Sequence, residues 1–203
     1  MLVPILVAIT FHEVAHGYTA YILGDPTAKN AGRLTLNPIK HLDPIGTIAL
    51  FLIHIGWAKP VPIQPAFFED PRRGLILTSL AGPAANIGLA AVFAALFHLL
   101  SFGAGGIIAT GSPGLVQPLL YMCQIGVLIN IALAVFNLLP VPPLDGSNIL
   151  LGLLPPELGQ MVQQYSTFGI VILIVLLFSG LVQHVIFPII RGISSVFMVP
   201  MPI

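Results

Sequence analysis

The residues best suited to chemistry are His12, Glu13 and His16, which form an HExxH motif inside an apolar segment. Residues four apart on an α-helix point from the same face, so the two imidazoles would lie about 6 Å apart. That spacing suits two ligands of one tetrahedral zinc ion. Glu13 directly follows the first ligand and would stand beside a zinc-bound water as its general base. The motif therefore predicts a zinc-dependent hydrolytic site.

The apolar surroundings of this motif also favour a functional role. Ionisable side chains inside a membrane segment are energetically expensive and mark functional sites by default. The alternative is that the three side chains form a buried polar network that joins helices. Serine, threonine or asparagine would serve that purpose better than a carboxylate between two imidazoles. We therefore favour the metal site.

A catalytic zinc site needs a third protein ligand and a fourth position open to water. Asp145 is the preferred third ligand, because it follows a proline-rich sequence (residues 137–146, NLLPVPPLDG) that must end a helix. Irregular backbone at membrane depth occurs only where it lines a cavity or is buried in protein, so Asp145 is expected to face such a place and not lipid. The alternative is that Asp145 caps a helix that begins near Ser147. Six weaker candidates for the third ligand are Asp25, His41, Asp43, His54, His98 and His184.

Three asparagines, Asn86, Asn130 and Asn137, lie inside or at the edges of apolar segments. The simplest role for each is a hydrogen bond between helices. Asn130 and Asn137 are seven residues apart and share a helical face. Asn137 also precedes Asp145 closely enough to hold a substrate backbone or to stabilise a developing oxyanion. We assign Asn137 and Asn86 to substrate binding as a prediction.

The elements that position these residues are apolar helices, because the composition is that of a membrane protein. The 203 residues are 57% apolar and only 7% charged, whereas a soluble domain is about 25% charged. The pattern predicts an all-α polytopic membrane protein with about four transmembrane helices, at residues 2–23, 75–100, 115–139 and 168–190, and a loop at residues 101–114. Residues 1–203 are expected to form a single membrane-embedded domain.

Residues 24–74, between the first two predicted helices, are rich in glycine, proline and charge. The apolar stretch at residues 44–57 is too short for a comfortable span and predicts a re-entrant or interfacial segment. Residues 32–36 and 60–64 are predicted to be short strands that lie against the membrane. Six of the seven basic residues lie in this region. The positive-inside rule therefore places the region and the site on the cytoplasmic side, with the N-terminus outside.

The composition excludes several other classes of protein. The net charge is zero and no basic patch is large enough to neutralise a phosphate backbone, so nucleic acid is not expected as a partner. The single cysteine, Cys123, excludes an internal disulfide and cysteine-based metal sites. No internal repeat of the kind found in transporters is visible.

Three motifs in order carry a family resemblance: HEVAH at residues 12–16, AGPAAN at residues 81–86 and NLLPVPPLDG at residues 137–146. With them the chain resembles the site-2 protease family of intramembrane zinc metalloproteases (peptidase family M50), and most closely its small branch without PDZ or CBS domains. The resemblance runs from about residue 11 to residue 151. It implies one zinc ion held by His12, His16 and Asp145, with Glu13 as catalytic base and Asn137 as a substrate contact.

The resemblance implies an enzyme of the cell membrane that cuts peptide bonds within or near transmembrane segments of membrane proteins. Its partners would be a transmembrane substrate and the lipid bilayer, and residues 33–62 would present an extended stretch of that substrate to the metal. Substrate selection would rest on the membrane helices, on residues 24–74, on a separate recruiting partner or on a second copy of the chain. From the residues alone, two alternatives stay open: a metal transporter or sensor, and a catalytically silent protein that binds membrane helices.

Overall fold

The computed structural model describes residues 2–53, 56–107, 113–180 and 182–200. The α-helices are, in chain order, α1 (Leu2–Ile22), α2 (Thr27–Asn30), α3 (Pro44–Ile53), α4 (Pro71–Ile107), α5 (Pro113–Asn137), α6 (Asp145–Leu153), α7 (Pro156–Gln164), α8 (Gly169–Phe178) and α9 (Phe187–Val196). Short 3-10 turns at Pro38–His41, Pro65–Phe67 and Tyr165–Phe168 and a π-helical turn at Val182–Ile186 connect them. The predicted all-α class is confirmed for the described residues.

Three helical stretches are long and apolar enough to cross a membrane: Pro71–Phe102, Val116–Asn137 and Glu157–Phe178. The sequence predicted four such spans. The first predicted helix does form, as α1, over nearly the expected residues. It is not among the three, because two histidines and a glutamate interrupt its apolar sequence and ionisable groups weigh heavily against insertion. The described residues thus support a polytopic membrane protein with three clear spans.

Two of the predicted helices have different bounds in the structure. The last spanning stretch is not at residues 168–190 but begins at Glu157 and ends at Phe178. Gly180, just beyond it, has a positive φ of 82°, a conformation that glycine adopts without strain, and a shorter apolar helix follows. Helix α4 continues to Ile107, so the loop predicted at residues 101–114 is helical in its first half. Residues 108–112 of that loop lie outside the described residues.

Helix α4 is the centre of the bundle, since α1, α5 and α6 all pack against it. The apolar core between α4, α5 and α9 includes Ala90, Ala94, Ile131 and Ile190. Small side chains let the helix backbones approach closely, which favours association where lipid removes the hydrophobic drive between helices. Because α4 packs against both α1 and α6, residues of these two helices can lie close together beside α4.

Residues 24–74 contain short helices and irregular backbone instead of the two predicted strands. The β pairing in the described part of this region is one isolated antiparallel bridge between Leu42 and Ala58. Prolines recur through residues 60–65, and a proline cannot donate the N–H that a strand ladder needs. Helix α3 has ten residues, too few to cross a hydrocarbon core of about 30 Å. Its length fits the predicted re-entrant or interfacial segment, and its insertion into the membrane stays a prediction.

Candidate metal centre

His12 and His16 on α1 and Asp145 at the start of α6 come together in one cluster. The Nε2 atoms of the two histidines are 2.9 Å apart. Asp145 faces both of them, with Oδ2 at 3.2 Å from His12 Nε2 and Oδ1 at 3.3 Å from His16 Nε2. The histidines are buried and Asp145 is half-buried. Within the described part of the chain, this is the one group of three such side chains whose ligand atoms converge closely enough for a single ion.

Both imidazoles are held from behind by α4. His12 Nδ1 lies 2.6 Å from Asn86 Oδ1, and His16 Nδ1 lies 2.7 Å from the main-chain oxygen of Thr78. Both partners are oxygens that accept, so each Nδ1 carries the proton and donates it outward. Each Nε2 then turns its lone pair into the cluster. An outward hydrogen bond of this kind orients metal-binding histidines and fixes their tautomer.

The helix face that receives the imidazoles has a regular pattern on α4. Thr78, Gly82 and Asn86 occur at intervals of four and therefore line one face. Gly82 lies between the two hydrogen-bond acceptors, Thr78 O and Asn86 Oδ1, and has no side chain to fill the space beside the imidazoles. A β-carbon at Gly82 would lie 2.3 Å from His16 Nε2 and 2.6 Å from His12 Cε1. Only glycine gives the two rings room to lie this close to the helix.

Asp145 reaches the histidines because α6 begins against the end of α5. The residue after it, Gly146, packs so tightly that a β-carbon would lie 2.3 Å from the carbonyl oxygen of Leu138. Asp145 is the first residue of α6, where the N-terminal end of a helix favours a negative charge. The structure therefore does not use Asp145 as the side-chain cap of a helix starting near Ser147; the residue opens the helix and its carboxylate faces the imidazoles.

The donor set fits a zinc ion. Two imidazole nitrogens and one carboxylate, with a further position left for water, form the ligand set of catalytic zinc sites. Asp145 Oδ2 is buried and receives no hydrogen bond, although such groups are normally paired. Two lone pairs and a carboxylate that converge within 3.3 Å repel one another unless a cation lies among them. These observations are the ones expected of a metal centre.

Glu13 lies beside this cluster and is held by the main chain of residues 59–64. The N–H of Val61 donates to Glu13 Oε2 at 3.0 Å. Val61 and Leu34 also pack close to Gly17, one turn along α1, where a β-carbon would approach their side chains to 3.1 and 2.9 Å. The 59–64 segment thus lies directly on the α1 face that carries the candidate general base.

Arg33 anchors the beginning of the 59–64 segment. Its guanidinium donates from Nη1 to the carbonyl of Pro60 at 3.0 Å and from Nη2 to that of Lys59 at 2.5 Å. His41 supports the same stretch, because its carbonyl accepts the N–H of Lys59 at 2.9 Å. Burial lowers the pKa of Arg33, and the negative charge of Glu13 offsets part of that shift. A buried cation therefore lies near the candidate base.

Asp25 anchors the other end of the segment. Its Oδ2 accepts the N–H of Gln64 at 2.7 Å, while Oδ1 accepts from the N–H and the hydroxyl of Thr27. Burial raises the pKa of Asp25, but the hydrogen bonds from Gln64 and Thr27 outweigh it and bring the pKa below its ordinary value. Asp25 is thus a structural anchor and lies outside the metal cluster.

The remaining candidates for the third ligand also have other partners. His41 is fully buried and donates from Nε2 to Thr35 O at 2.8 Å, and Asp43 accepts the N–H of Gly46 at 2.7 Å at the start of α3. His98 donates to Phe197 O at 2.9 Å, and the exposed His184 donates to Gly180 O at 2.9 Å. His54 lies outside the described residues.

The two asparagines predicted to bind substrate lie in different surroundings. Asn137 is half-buried at the end of α5 and donates to Leu133 O at 2.9 Å, so one of its two amide hydrogens is used within the helix. Asn86 is fully buried behind His12, and its Nδ2 donates to Ala8 O and Asn130 Oδ1. Substrate binding by Asn137 stays a prediction, whereas the position of Asn86 favours support of His12 over contact with a substrate.

The site includes residues to which the sequence assigned no individual role. Thr78 contributes a main-chain carbonyl, Gly82 contributes the absence of a side chain, and Val61 contributes an N–H. None of these contributions depends on a reactive side chain. The spacing of Thr78, Gly82 and Asn86 at intervals of four was the available signal, because it marks a single helical face with small and polar members.

Comparison with known proteins identifies the family. The profile of peptidase family M50 matches residues 104–181, which include Asp145. The chain is also 42% identical over 194 residues to YwhC of Bacillus subtilis, which is named as a candidate zinc metalloprotease; the match covers 95% of this chain and 86% of YwhC. The chain belongs to peptidase family M50.

Two further M50 relatives, both called Rip2 and named in the same way, show lower identity. The protein from Mycolicibacterium smegmatis is 30% identical over 202 residues, covering 94% of this chain and 73% of the relative. The protein from Mycobacterium tuberculosis strain H37Rv is 31% identical over 177 residues, covering 84% of this chain and 63% of the relative. No solved structure matches the chain. Membership in M50 confirms the family resemblance and the expected enzyme class, a zinc-dependent metalloendopeptidase.

Proposed function

We propose that the protein is an intramembrane metalloendopeptidase that hydrolyses peptide bonds within or near the transmembrane segments of other membrane proteins, the chemistry of regulated intramembrane proteolysis. One observation carries the proposal: a cluster of two histidines and an aspartate, with Glu13 beside it, lies within a bundle of apolar helices. Ionisable groups in such surroundings are expensive and mark functional sites. Membership in a peptidase family supports a hydrolytic role.

The roles of the side chains follow from their positions. His12, His16 and Asp145 would hold zinc, which when bound polarises the scissile carbonyl and lowers the pKa of water. Glu13 accepts the proton of the attacking water on the oxygen that Val61 does not occupy, and then passes it to the leaving amine. Asn137 would offer its second amide hydrogen to the substrate main chain.

The substrate is a transmembrane segment that unwinds near the cytoplasmic surface. A helical segment keeps its carbonyls in internal hydrogen bonds, so the scissile bond must leave the helix before it can be attacked. His16 lies in the second half of α1 and its support Thr78 lies early in α4, so this side of the site is near residues 24–74, whose Val61 also contacts Glu13. The six basic residues at 29–73 favour the cytoplasmic side of the cell membrane for this region, with the N-terminus outside.

Glu13→Gln tests this function. Glutamine keeps an oxygen that can accept the Val61 N–H, so the local geometry and the three metal ligands should be preserved while the base is lost. Newly created peptide termini are compared in the membrane proteomes of cells that express the wild-type protein or the variant. We expect termini inside predicted spans with the wild type only, and one zinc ion per chain in both purified proteins.

Two results would contradict the proposal in different ways. Cleavage by the Glu13→Gln protein would overturn the role of Glu13 as general base. A wild-type protein that holds zinc but creates no new termini in any membrane protein would leave the metal centre standing and would overturn intramembrane proteolysis. Metal flux into liposomes that carry such a protein would then test a role in transport.

A further inference from the structure

A row of buried amide groups leads from the backbone of α5 to His12. Asn130 Nδ2 donates to Gly126 O at 2.8 Å, and Asn86 Nδ2 donates to Asn130 Oδ1 at 2.9 Å and to Ala8 O at 3.2 Å. Asn86 Oδ1 in turn lies 2.6 Å from His12 Nδ1. Both asparagine side chains are fully buried. Three helices, α5, α4 and α1, are joined by this row.

The direction of each hydrogen bond is set by the main-chain carbonyls at which the row ends. A carbonyl oxygen only accepts, so Asn130 must turn its Nδ2 to Gly126 and its Oδ1 to Asn86. Asn86 must then use its Nδ2 for Asn130 and Ala8, which leaves Oδ1 for His12. His12 Nδ1 is therefore the protonated nitrogen, and the lone pair of Nε2 faces His16 and Asp145.

The two histidines differ in how their tautomers are fixed. His16 faces the main-chain carbonyl of Thr78, which cannot present a donor. His12 faces a side-chain amide, and an amide presents either oxygen or nitrogen depending on its rotation. A rotated Asn86 would donate to His12 Nδ1 and move the proton to Nε2, where it would block metal binding. Two acceptors hold Asn86 in the required orientation: the main-chain carbonyl of Ala8 at 3.2 Å and, at the shorter distance of 2.9 Å, the side chain of Asn130.

We propose that Asn130 is a positioning residue that fixes the orientation of Asn86, and through it the His12 tautomer that leaves Nε2 free to bind the metal. Asn130 lies on a different helix from both metal-binding motifs and touches no metal ligand among the contacts described above. The proposal rests on the metal site of the proposed function. It gives α5 an indirect role in zinc binding, through Asn130, that is separate from the predicted contact of Asn137 with the substrate.

Two substitutions at this position separate a directional role from a packing role. Asn130→Asp keeps an oxygen that accepts from Asn86, whether or not the acid is ionised, whereas Asn130→Leu has a similar size and no acceptor. The zinc dissociation constant of each purified full-length protein is measured by competition with a chelator. We expect Asn130→Leu to weaken zinc binding about 10–100-fold, the range for loss of a supporting contact, and Asn130→Asp to stay within a few-fold of the wild type.

A merely structural role predicts the opposite order, because a buried carboxyl group is harder to accommodate than leucine. Asn137→Leu is the matched control for zinc binding. Asn137 lies on the same helix and makes the same bond to the carbonyl four residues back, at 2.9 Å from Leu133 O. Its loss should leave the zinc dissociation constant unchanged. An equal effect of Asn130→Leu and Asn137→Leu would overturn the proposal.

The tautomer itself is measured on the metal-free protein, by nitrogen NMR of 15N-labelled histidine. The wild type should show His12 protonated at Nδ1, and Asn130→Leu should show a substantial Nε2-protonated population. This readout does not depend on zinc or on peptidase activity, so it decides the proposal even where the proposed function fails. An Asn130→Leu protein with the wild-type tautomer, or with wild-type zinc affinity, would overturn it.

Discussion

Gly82→Ala probes whether the space beside the two imidazoles is what allows them to hold a metal. A β-carbon at this position would lie 2.3 Å from His16 Nε2 and 2.6 Å from His12 Cε1. Non-bonded atoms prefer a separation of about 3.5–4.0 Å, so one or both rings must move by roughly 1 Å. The hydrogen bonds of His12 to Asn86 and of His16 to α4 oppose that movement.

The expected effect falls mainly on metal binding. Ligand distances in metal sites hold to within about 0.2 Å, so a ring displaced by roughly 1 Å no longer meets the metal correctly. We expect zinc affinity to fall at least about 10–100-fold, which corresponds to roughly 1.4–2.8 kcal/mol. Overpacking would also destabilise the metal-free fold by about 1–3 kcal/mol. The higher helix propensity of alanine would return about 0.5–1 kcal/mol of that.

The control is Gly88→Ala on the same helix, where a β-carbon would meet nothing within 4 Å. It should bind zinc like the wild type and be equally stable or slightly more so. Both proteins are purified in detergent, zinc affinity is measured by chelator competition, and thermal unfolding is followed without metal. If Gly82→Ala binds zinc as tightly as Gly88→Ala, the imidazoles move freely and the argument that α4 holds them in place is refuted.

Two further predictions concern the anchors of the 59–64 segment. Arg33→Gln removes the charge that holds two carbonyls next to Val61, so we expect faster hydrogen exchange at the Val61 amide with zinc binding retained; unchanged exchange would refute this role of Arg33. Because the pKa of Asp25 is lowered in the folded protein, its contribution to stability is complete above about pH 3.9 and is lost as the pH falls through the lower folded value. The difference in Tm between the wild type and Asp25→Ala should therefore be present at pH 6 and shrink on acidification, and a difference that grows would contradict the assignment.

The candidate ligands could be predicted because side-chain type and spacing are visible in the sequence. His12 and His16 are rare polar residues in an apolar helix, at the spacing that suits two ligands of one metal ion, and Asp145 follows prolines that forbid a continuous helix. Their supports could not be predicted in the same way. Every residue has a main-chain carbonyl, so nothing in the sequence marks that of Thr78 as the partner of His16. The importance of Gly82 depends on the imidazoles that pack against it, which the sequence does not show.

The errors in the fold have physical reasons as well. Residues 60–64 alternate in a way that resembles a strand, but their prolines remove the donors that a ladder requires, and side chains of Arg33 and Asp25 bind the backbone instead. The last span was displaced because the sequence stays mostly apolar beyond residue 178, into a shorter apolar helix at His184–Val196. Hydropathy does not register the end of a helix at a single glycine with positive φ.

The division of the metal ligands between α1 and α6 has a consequence for how the protein is made. His12 and His16 leave the ribosome before Asp145 has been synthesised. Chains grow from the N-terminus, so a nascent chain that ends before α6 can fold its early helices but has only two of the three ligands. The complete set exists only once α6 has docked on α4. If His12, His16 and Asp145 bind zinc as proposed, a chain that ends before α6 lacks the complete ligand set, and peptidase activity requires the assembled helix bundle.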